Sequence, residues 1–168
     1  MKKEIVELKA RTKSLETIRK KMLDFKATYV GRFRQVDTYF NSAEGRLKIR
    51  EVDGQEKTTL IYYRREDIAG PKRSEIIVIN IQETELFKGL FEIILRRKVT
   101  VDKEREIYIL EGTQIHLDNV QNLGTFIEFE RKITDISKDR EVLEELMKKL
   151  LIEEEDLIQG SYSDLLSS

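Results

Sequence analysis

Three features of this 168-residue sequence predict an antiparallel α+β fold. Strand-like segments outnumber helical ones by about eight to three, and they follow one another in hairpin order. Each helical segment carries a single apolar stripe and so needs a sheet to cover. Several strand segments alternate apolar with charged residues, which gives the sheet one apolar and one charged face.

The elements are expected in this order. Glu4 to Arg11 alternates and reads as a strand. Ser14 is placed to cap a helix in which Leu15, Ile18, Met22 and Phe25 share a face, ending near Lys26. Tyr29 to Phe40 is aromatic and β-branched, a long strand. A loop at Asn41–Gly45 leads to a strand at Arg46–Val52, and Asp53-Gly54 then signals a tight turn into Lys57–Arg65. A strand from Lys72 or Arg73 to Ile81 follows the Asp67–Pro71 loop. Thr84 caps a second helix to Phe91, and Arg97–Arg105, Glu106–Leu110, Thr113–Leu117 and Gly124–Ile133 are read as further strands. The last helix starts at Ser137 or Asp139, with Leu143, Leu146, Met147 and Leu150 on one face. An acidic turn at Glu153–Asp156 and a short tail finish the chain. No linker or repeat divides it, so residues 1–168 are expected to form one domain.

Composition narrows the function. Hydrophobic residues make up 39% of the chain and charged residues 38%, with 31 basic against 32 acidic. A net charge of -1 gives no global attraction to nucleic acid or to an anionic membrane, so neither is expected as a partner. Any basic site must be local. The absence of cysteine excludes disulfides and thiolate metal sites, and a lone histidine, His116, excludes a multi-histidine zinc centre. No apolar run is long enough for a signal peptide or membrane span, and a cytoplasmic protein is expected. Neither a phosphate-binding G-x-x-x-x-G-K-[ST] loop nor a G-x-G-x-x-G turn is present.

What remains is the alternation of charge. Arg46, Lys48 and Arg50 fall on one face of a strand, as do Lys103 and Arg105, and as do Glu128 and Glu130. Glu7 and Lys9 put one charge of each sign in phase. A charged face turned to water is the ordinary explanation, and the aromatics Tyr39, Phe40, Tyr62 and Tyr63 read as packing residues with at most one touching a ligand. His116 reads as a strand-face or core histidine. If the sheet closes, however, the charged face becomes a lumen, and enclosed charge requires a charged ligand. Arginine forks match phosphate oxygens, and carboxylates suit Mg²⁺ or Mn²⁺.

Taken in order, several motifs resemble one known family. They are Glu7-Leu8-Lys9-Ala10-Arg11, Gln35-Val36-Asp37-Thr38-Tyr39-Phe40 and Gly45-Arg46-Leu47-Lys48-Ile49-Arg50-Glu51. Leu60-Ile61-Tyr62-Tyr63-Arg64, Val101-Asp102-Lys103-Glu104-Arg105 and Ile115-His116-Leu117-Asp118-Asn119-Val120 follow. Leu123 to Glu130 and the Ser161–Leu166 tail complete the set. The chain resembles the CYTH superfamily, the triphosphate tunnel metalloenzymes, which includes class IV adenylyl cyclases, thiamine triphosphatases and inorganic tripolyphosphatases.

The resemblance implies a closed antiparallel eight-stranded tunnel β-barrel with a charged lumen and helices packed outside. It implies phosphate binding by Lys9, Arg46, Lys48, Arg50, Arg64, Arg73, Lys103 and Arg105. It implies Mg²⁺ or Mn²⁺ held by Glu7, Asp118, Glu128 and Glu130, with Glu128, Glu130 and Lys9 in the chemistry. The expected partner is a small-molecule triphosphate, and the protein is expected to be a monomer or homodimer. Hydrolysis of the triphosphate is the leading expectation. A cyclase making cyclic AMP from ATP, or a non-catalytic polyphosphate-binding module, are the alternatives. One departure stands out: the family's E-x-E-x-K reads Ile5-Val6-Glu7-Leu8-Lys9 here, with Ile5 in the first acidic slot. Glu4 is one residue out of phase and is expected to face away from the lumen.

Overall fold

In the computed structural model, which describes residues 1–168, eight antiparallel strands close into a barrel in the order β1-β5-β4-β3-β2-β6-β7-β8. The strands are β1 (Lys2–Arg11), β2 (Thr28–Phe40), β3 (Arg46–Val52), β4 (Thr58–Arg65), β5 (Lys72–Ile81), β6 (Arg97–Leu110), β7 (Thr113–Val120) and β8 (Gly124–Lys132). Four helices lie outside: α1 (Leu15–Asp24), α2 (Thr84–Ile94), α3 (Ile136–Lys149) and α4 (Tyr162–Ser167). No helix is long and apolar enough to cross a membrane.

The apolar residues of the alternating strands point outward, under the helices. Val6 and Leu8 of β1, Ile115 and Leu117 of β7, and Ile127 and Phe129 of β8 are all at most 1% exposed. Ile18 and Met22 of α1 and Leu143 and Leu146 of α3 complete this main core. A smaller core holds Phe40, Ile49 and Ile81 beneath Phe87 and Phe91 of α2. On β1, β7 and β8 the outer face is dry, so the opposite, charged face of these strands turns into the lumen. Closure also removes the unpaired strand edges of an open sheet.

Local chemistry explains the element ends. The Ser14 side chain accepts the Thr17 amide at the start of α1, as the sequence predicts. The α3 cap is Asp135, two residues before the earlier of the two expected starts; its carboxylate accepts the Ser137 and Lys138 amides. Asp139, 2% exposed, instead accepts the Thr134 and Asp135 amides from within the first turn. The two strands expected at Arg97–Arg105 and Glu106–Leu110 are one, β6. The consecutive charges Lys103 to Glu106 serve both faces of this one strand: Arg105 points inward, and Glu106 pairs outward with Arg19 of α1 at 2.6 Å. β6 turns into β7 through Glu111-Gly112, both with positive φ, which fits a two-residue type I′ hairpin. The tail forms α4, started by a capping box between Ser161 and Asp164.

Candidate active site in the barrel lumen

Register decides which charged residues meet. On β1 the inward series is Lys3, Ile5, Glu7 and Lys9. Across the β1–β8 seam, Glu7 is the partner of Glu130 and Lys9 of Glu128. On β3, Lys48 and Arg50 point inward beside Asp37 of β2. On β6, Lys103 and Arg105 do the same beside β7. Seven basic side chains and four carboxylates line a cavity of about 110 Å³, and Asp118, paired with Arg105, is a further carboxylate inside the barrel. The free volume is small because the charged side chains reach across it to one another.

Two carboxylates organise the cations. Asp37, 1% exposed, accepts Lys48 at 2.8 Å, Lys103 at 2.9 Å and the Arg50 fork at 2.7 and 2.8 Å. Burial alone would raise its pKa, but Arg50, Lys103 and Lys48 outweigh burial and hold it well below the usual carboxylate range. Asp118, fully buried, takes the Arg105 fork at 2.7 Å on each oxygen and a 2.6 Å hydrogen bond from the Tyr162 hydroxyl. Burial, above all, pushes the Lys103 ammonium down to about 7, and the neighbouring Arg50, Arg105 and Lys48 add to it against Asp37.

The acidic side of the lumen is different. Glu128 is engaged by Lys9 at 2.7 Å, Arg105 at 3.3 Å and His116 Nδ1 at 3.1 Å. Lys9 and Arg105 overcome the burial effect and keep its pKa low. Glu130 has no ion pair or hydrogen bond; burial raises its pKa, as does Glu128 beside it. Glu7 meets Arg65 at 2.5 Å through one oxygen. Arg65 is only 2% exposed at its side chain, and its Nε and Nη2 have no partner. His116, Glu128 and Glu130 offer ligand atoms all within 4.8 Å of one another.

The sequence profile of the CYTH domain matches residues 3–162. The chain belongs to the CYTH family. It is 33% identical over 137 residues to a Methanocaldococcus jannaschii protein carrying a provisional adenylate cyclase name, a match covering 79% of this chain and 77% of that protein. A solved Pyrococcus horikoshii structure superposes with a TM-score of 0.88 at 24% identity, covering 96% of this chain and 98% of that one. A Hippeastrum protein, described as an adenylyl cyclase candidate with a dominant triphosphatase activity, matches at 0.66 and 19% identity, covering 97% and 93%. At such identities the two structures speak for the fold alone.

Set against this CYTH barrel, the expected site residues divide. Lys9, Lys48, Arg50, Lys103 and Arg105 meet in the lumen with Glu7, Glu128 and Glu130. Arg46 sits at its margin, bound to Asp164 of α4 at 2.6 Å. Two expectations are corrected. Arg64 is on the outer face, 59% exposed at its side chain and paired with Glu44 and Tyr62. Arg73 is also outside, 47% exposed and paired with Glu4 at 2.8 Å. The inward residues of those strands are Arg65 on β4 and Lys72 and Ser74 on β5. Phase along β4 and β5 is unmarked in the sequence, because Tyr62-Tyr63 and Arg64-Arg65 each supply the same residue type to both faces. Asp118 has both oxygens taken by Arg105 and Tyr162, so it orients a cation and stands apart from the unpaired carboxylates. Tyr39, Tyr63 and Tyr162 line the lumen and pack together in a buried cluster. Asp37, the hub, lay in a quoted motif without a role.

The oxygen donors fit a hard divalent cation. Glu130 and the second oxygen of Glu7 are unspent and face each other across the seam, with Glu128 two residues from Glu130 on the same face. Ile5, 3% exposed, does occupy the inward position before Glu7, and Glu4 points outward. His116 bonds Glu128 through Nδ1 and Gln114 through its other nitrogen at 3.2 Å, so it orients a carboxylate.

Proposed function

We propose that this CYTH protein is a metal-dependent hydrolase acting on a triphosphate-containing small molecule. One observation carries the reading: the lumen is lined by more cations than carboxylates, and buried charge of that kind calls for a multiply charged anion. Lys9, Lys48, Arg50, Lys103 and Arg105 lie within reach of one phosphate chain, and Arg65 brings two unpaired donors. Glu7, Glu128 and Glu130 would hold Mg²⁺ or Mn²⁺, which when bound supplies charge neutralisation and orientation of the phosphate oxygens.

The residues perform the rest. The arginine forks, held in place by Asp37 and Asp118, stabilise charge developing on the transferred phosphoryl group without moving. Lys9, held 2.7 Å from Glu128, binds a phosphate oxygen beside the seam. Glu130, which lines the cavity and carries no ion pair, accepts a proton from the attacking water. The phosphorus–oxygen bond to the leaving phosphate then breaks, and that group departs with its negative charge against the basic wall.

A cyclase reading is favoured by one fact, the name given to the Methanocaldococcus jannaschii relative. It uses the same wall but attacks the α-phosphorus with a ribose hydroxyl. Purified protein with Mg²⁺ or Mn²⁺ is given tripolyphosphate, ATP and thiamine triphosphate, and both phosphate release and cyclic AMP are measured. Phosphate without cyclic AMP supports the hydrolase. Cyclic AMP as the main product overturns it. Tight binding with neither product leaves a binding module.

A further inference from the structure

Helix α2 is apolar beyond what the barrel uses. Six of its eleven residues are large and apolar, yet none is buried, whereas α1 buries Ile18 and Met22 and α3 buries Leu143 and Leu146. Phe87 and Phe91 pack down onto Phe40, Ile49 and Ile81. Leu86, Leu90 and Ile93, spaced i, i+4 and i+7, form a second stripe that is 67%, 49% and 83% exposed, and Ile94 beside it is 63% exposed. The patch continues onto the sheet. Ile77 and Ile79 of β5 point outward and are exposed as well. Ile79 is the register partner of Leu60, which packs in the same cluster as Phe87 and Phe91.

Together these aliphatic side chains expose roughly 500 Å², near the top of the range for the largest apolar patch on a monomer. Interfaces are little more than half apolar, so a patch of that size corresponds to roughly 800 Å² on each partner, the area of a standard stable interface. The stripe is also near-palindromic. Leu86 and Ile93 lie equally far from the Gly89–Leu90 midpoint of α2. An antiparallel copy therefore sets Leu86 on Ile93 and Ile93 on Leu86, as a two-fold axis requires. The midpoint is open, because nothing lies within 4 Å of where a Cβ on Gly89 would be. A lipid surface suits this helix less well. Its charged residues are Glu85, Lys88 and Glu92, net acidic, and Lys88 is held by Glu51 at 2.5 Å. We propose that this chain forms a two-fold homodimer through α2, packed antiparallel on α2 of a second copy, with Ile77 and Ile79 at the rim of the interface. The interface lies outside the barrel, so it stands independently of what the lumen binds.

The test is analytical ultracentrifugation of the full chain from about 1 to about 100 μM. A particle of twice the 19.9 kDa chain mass is expected by about 10 μM. Leu86→Glu/Ile93→Glu should sediment as a monomer with unchanged circular dichroism, since both side chains are exposed in a single copy. The chain has no cysteine, so introduced thiols report the geometry directly. With a short bis-maleimide, Leu90→Cys, beside the axis, should link to its own copy, and Leu23→Cys, exposed on α1, should not. If the double glutamate variant misfolds, the two cysteine variants decide. A monomer throughout the range overturns the proposal, as does a dimer that survives Leu86→Glu/Ile93→Glu. Growth past the dimer, or linking through Leu23→Cys in place of Leu90→Cys, overturns it too. So does a monomer that instead co-sediments with phosphatidylglycerol vesicles, the behaviour of a lipid-binding helix.

Discussion

Asp37 gives the sharpest test of the charge argument. Replacing it by Asn keeps size and removes the one carboxylate facing Lys48, Arg50 and Lys103. Its Oδ2 receives donors from all three, so an amide nitrogen in that place would point hydrogens at donors, and an amide oxygen would accept them without charge. Asp37 is 1% exposed and Lys103 2%, so solvent screens little of the loss. Breaking a buried pair by removing one partner costs about 3–5 kcal/mol. For a chain of this size that lowers the melting temperature by roughly 6–20 °C. The rescue is more informative. If tripolyphosphate occupies this lumen, it replaces the missing negative charge, so it should stabilise Asp37→Asn more than wild type. The assay is thermal unfolding of both proteins across a tripolyphosphate titration in EDTA. A variant melting within about 2 °C of wild type, a shift smaller than about 1 kcal/mol, would refute the hub. A normal penalty that tripolyphosphate reduces no more than it stabilises wild type would refute anion binding at that point.

Three further outcomes are expected. Lys103 sits near 7 in the free lumen because burial and neighbouring cations disfavour its proton; a bound polyanion favours it, so binding at pH 8 should take up a proton. Calorimetry in buffers of different ionisation enthalpy reads this, and affinity should weaken as pH rises through 7; a proton-neutral, pH-flat affinity contradicts it. Arg65→Ala should weaken tripolyphosphate binding by about ten-fold or more, while Arg64→Ala changes it by less than about two-fold, since only Arg65 is a buried charge in the lumen; the reverse order would contradict the phase assignment. Ile5→Glu should lower the metal-free melting temperature by about 5 °C, since it adds buried negative charge near Glu7 and Glu130, and millimolar Mn²⁺ should recover it; a variant indifferent to Mn²⁺ would place the cation elsewhere.

The sequence carried much of this through period-two alternation. Arg46, Lys48 and Arg50 are separated by Leu47 and Ile49, so polarity itself marks which side is inward. The same rule gave Glu7 and Lys9, Lys103 and Arg105, and Glu128 and Glu130. It failed on β4 and β5, where runs such as Arg64-Arg65 and Lys72-Arg73 put cations on both faces and only register separates them. It also failed for Asp37, because a single acid among apolar neighbours becomes a hub only when β3 and β6 bring cations to it from both sides. Tyr162 was likewise invisible, since its place near Lys9 and Asp118 depends on the tail folding back over the barrel.

Hydrogen-bonding capacity separates the lumen's charges into two kinds of work. Asp118 and Asp37 are saturated: every oxygen already accepts a charged donor, and a metal or proton could be taken up only by releasing an arginine. These groups fix the positions of Arg105, Arg50, Lys48 and Lys103 before any ligand arrives, which removes the cost of organising them on binding. Glu130, the second oxygen of Glu7 and two nitrogens of Arg65 have no partner, and for the buried Arg65 nitrogens this is unfavourable. They lie together, Glu130 on β8 beside Glu7 on β1, and Arg65 reaching Glu7 from β4, at the edge of the saturated network. The unspent groups are therefore of both signs and in one place, which suits a ligand that brings a cation and an anion together. Ile5 lies beside that place and adds no carboxylate to it. The cation is then held by fewer protein oxygens, and the phosphate oxygens of the ligand must supply more of its coordination. Metal affinity in this protein should thus depend on the phosphate ligand more strongly than in a relative with both glutamates of the E-x-E-x-K motif.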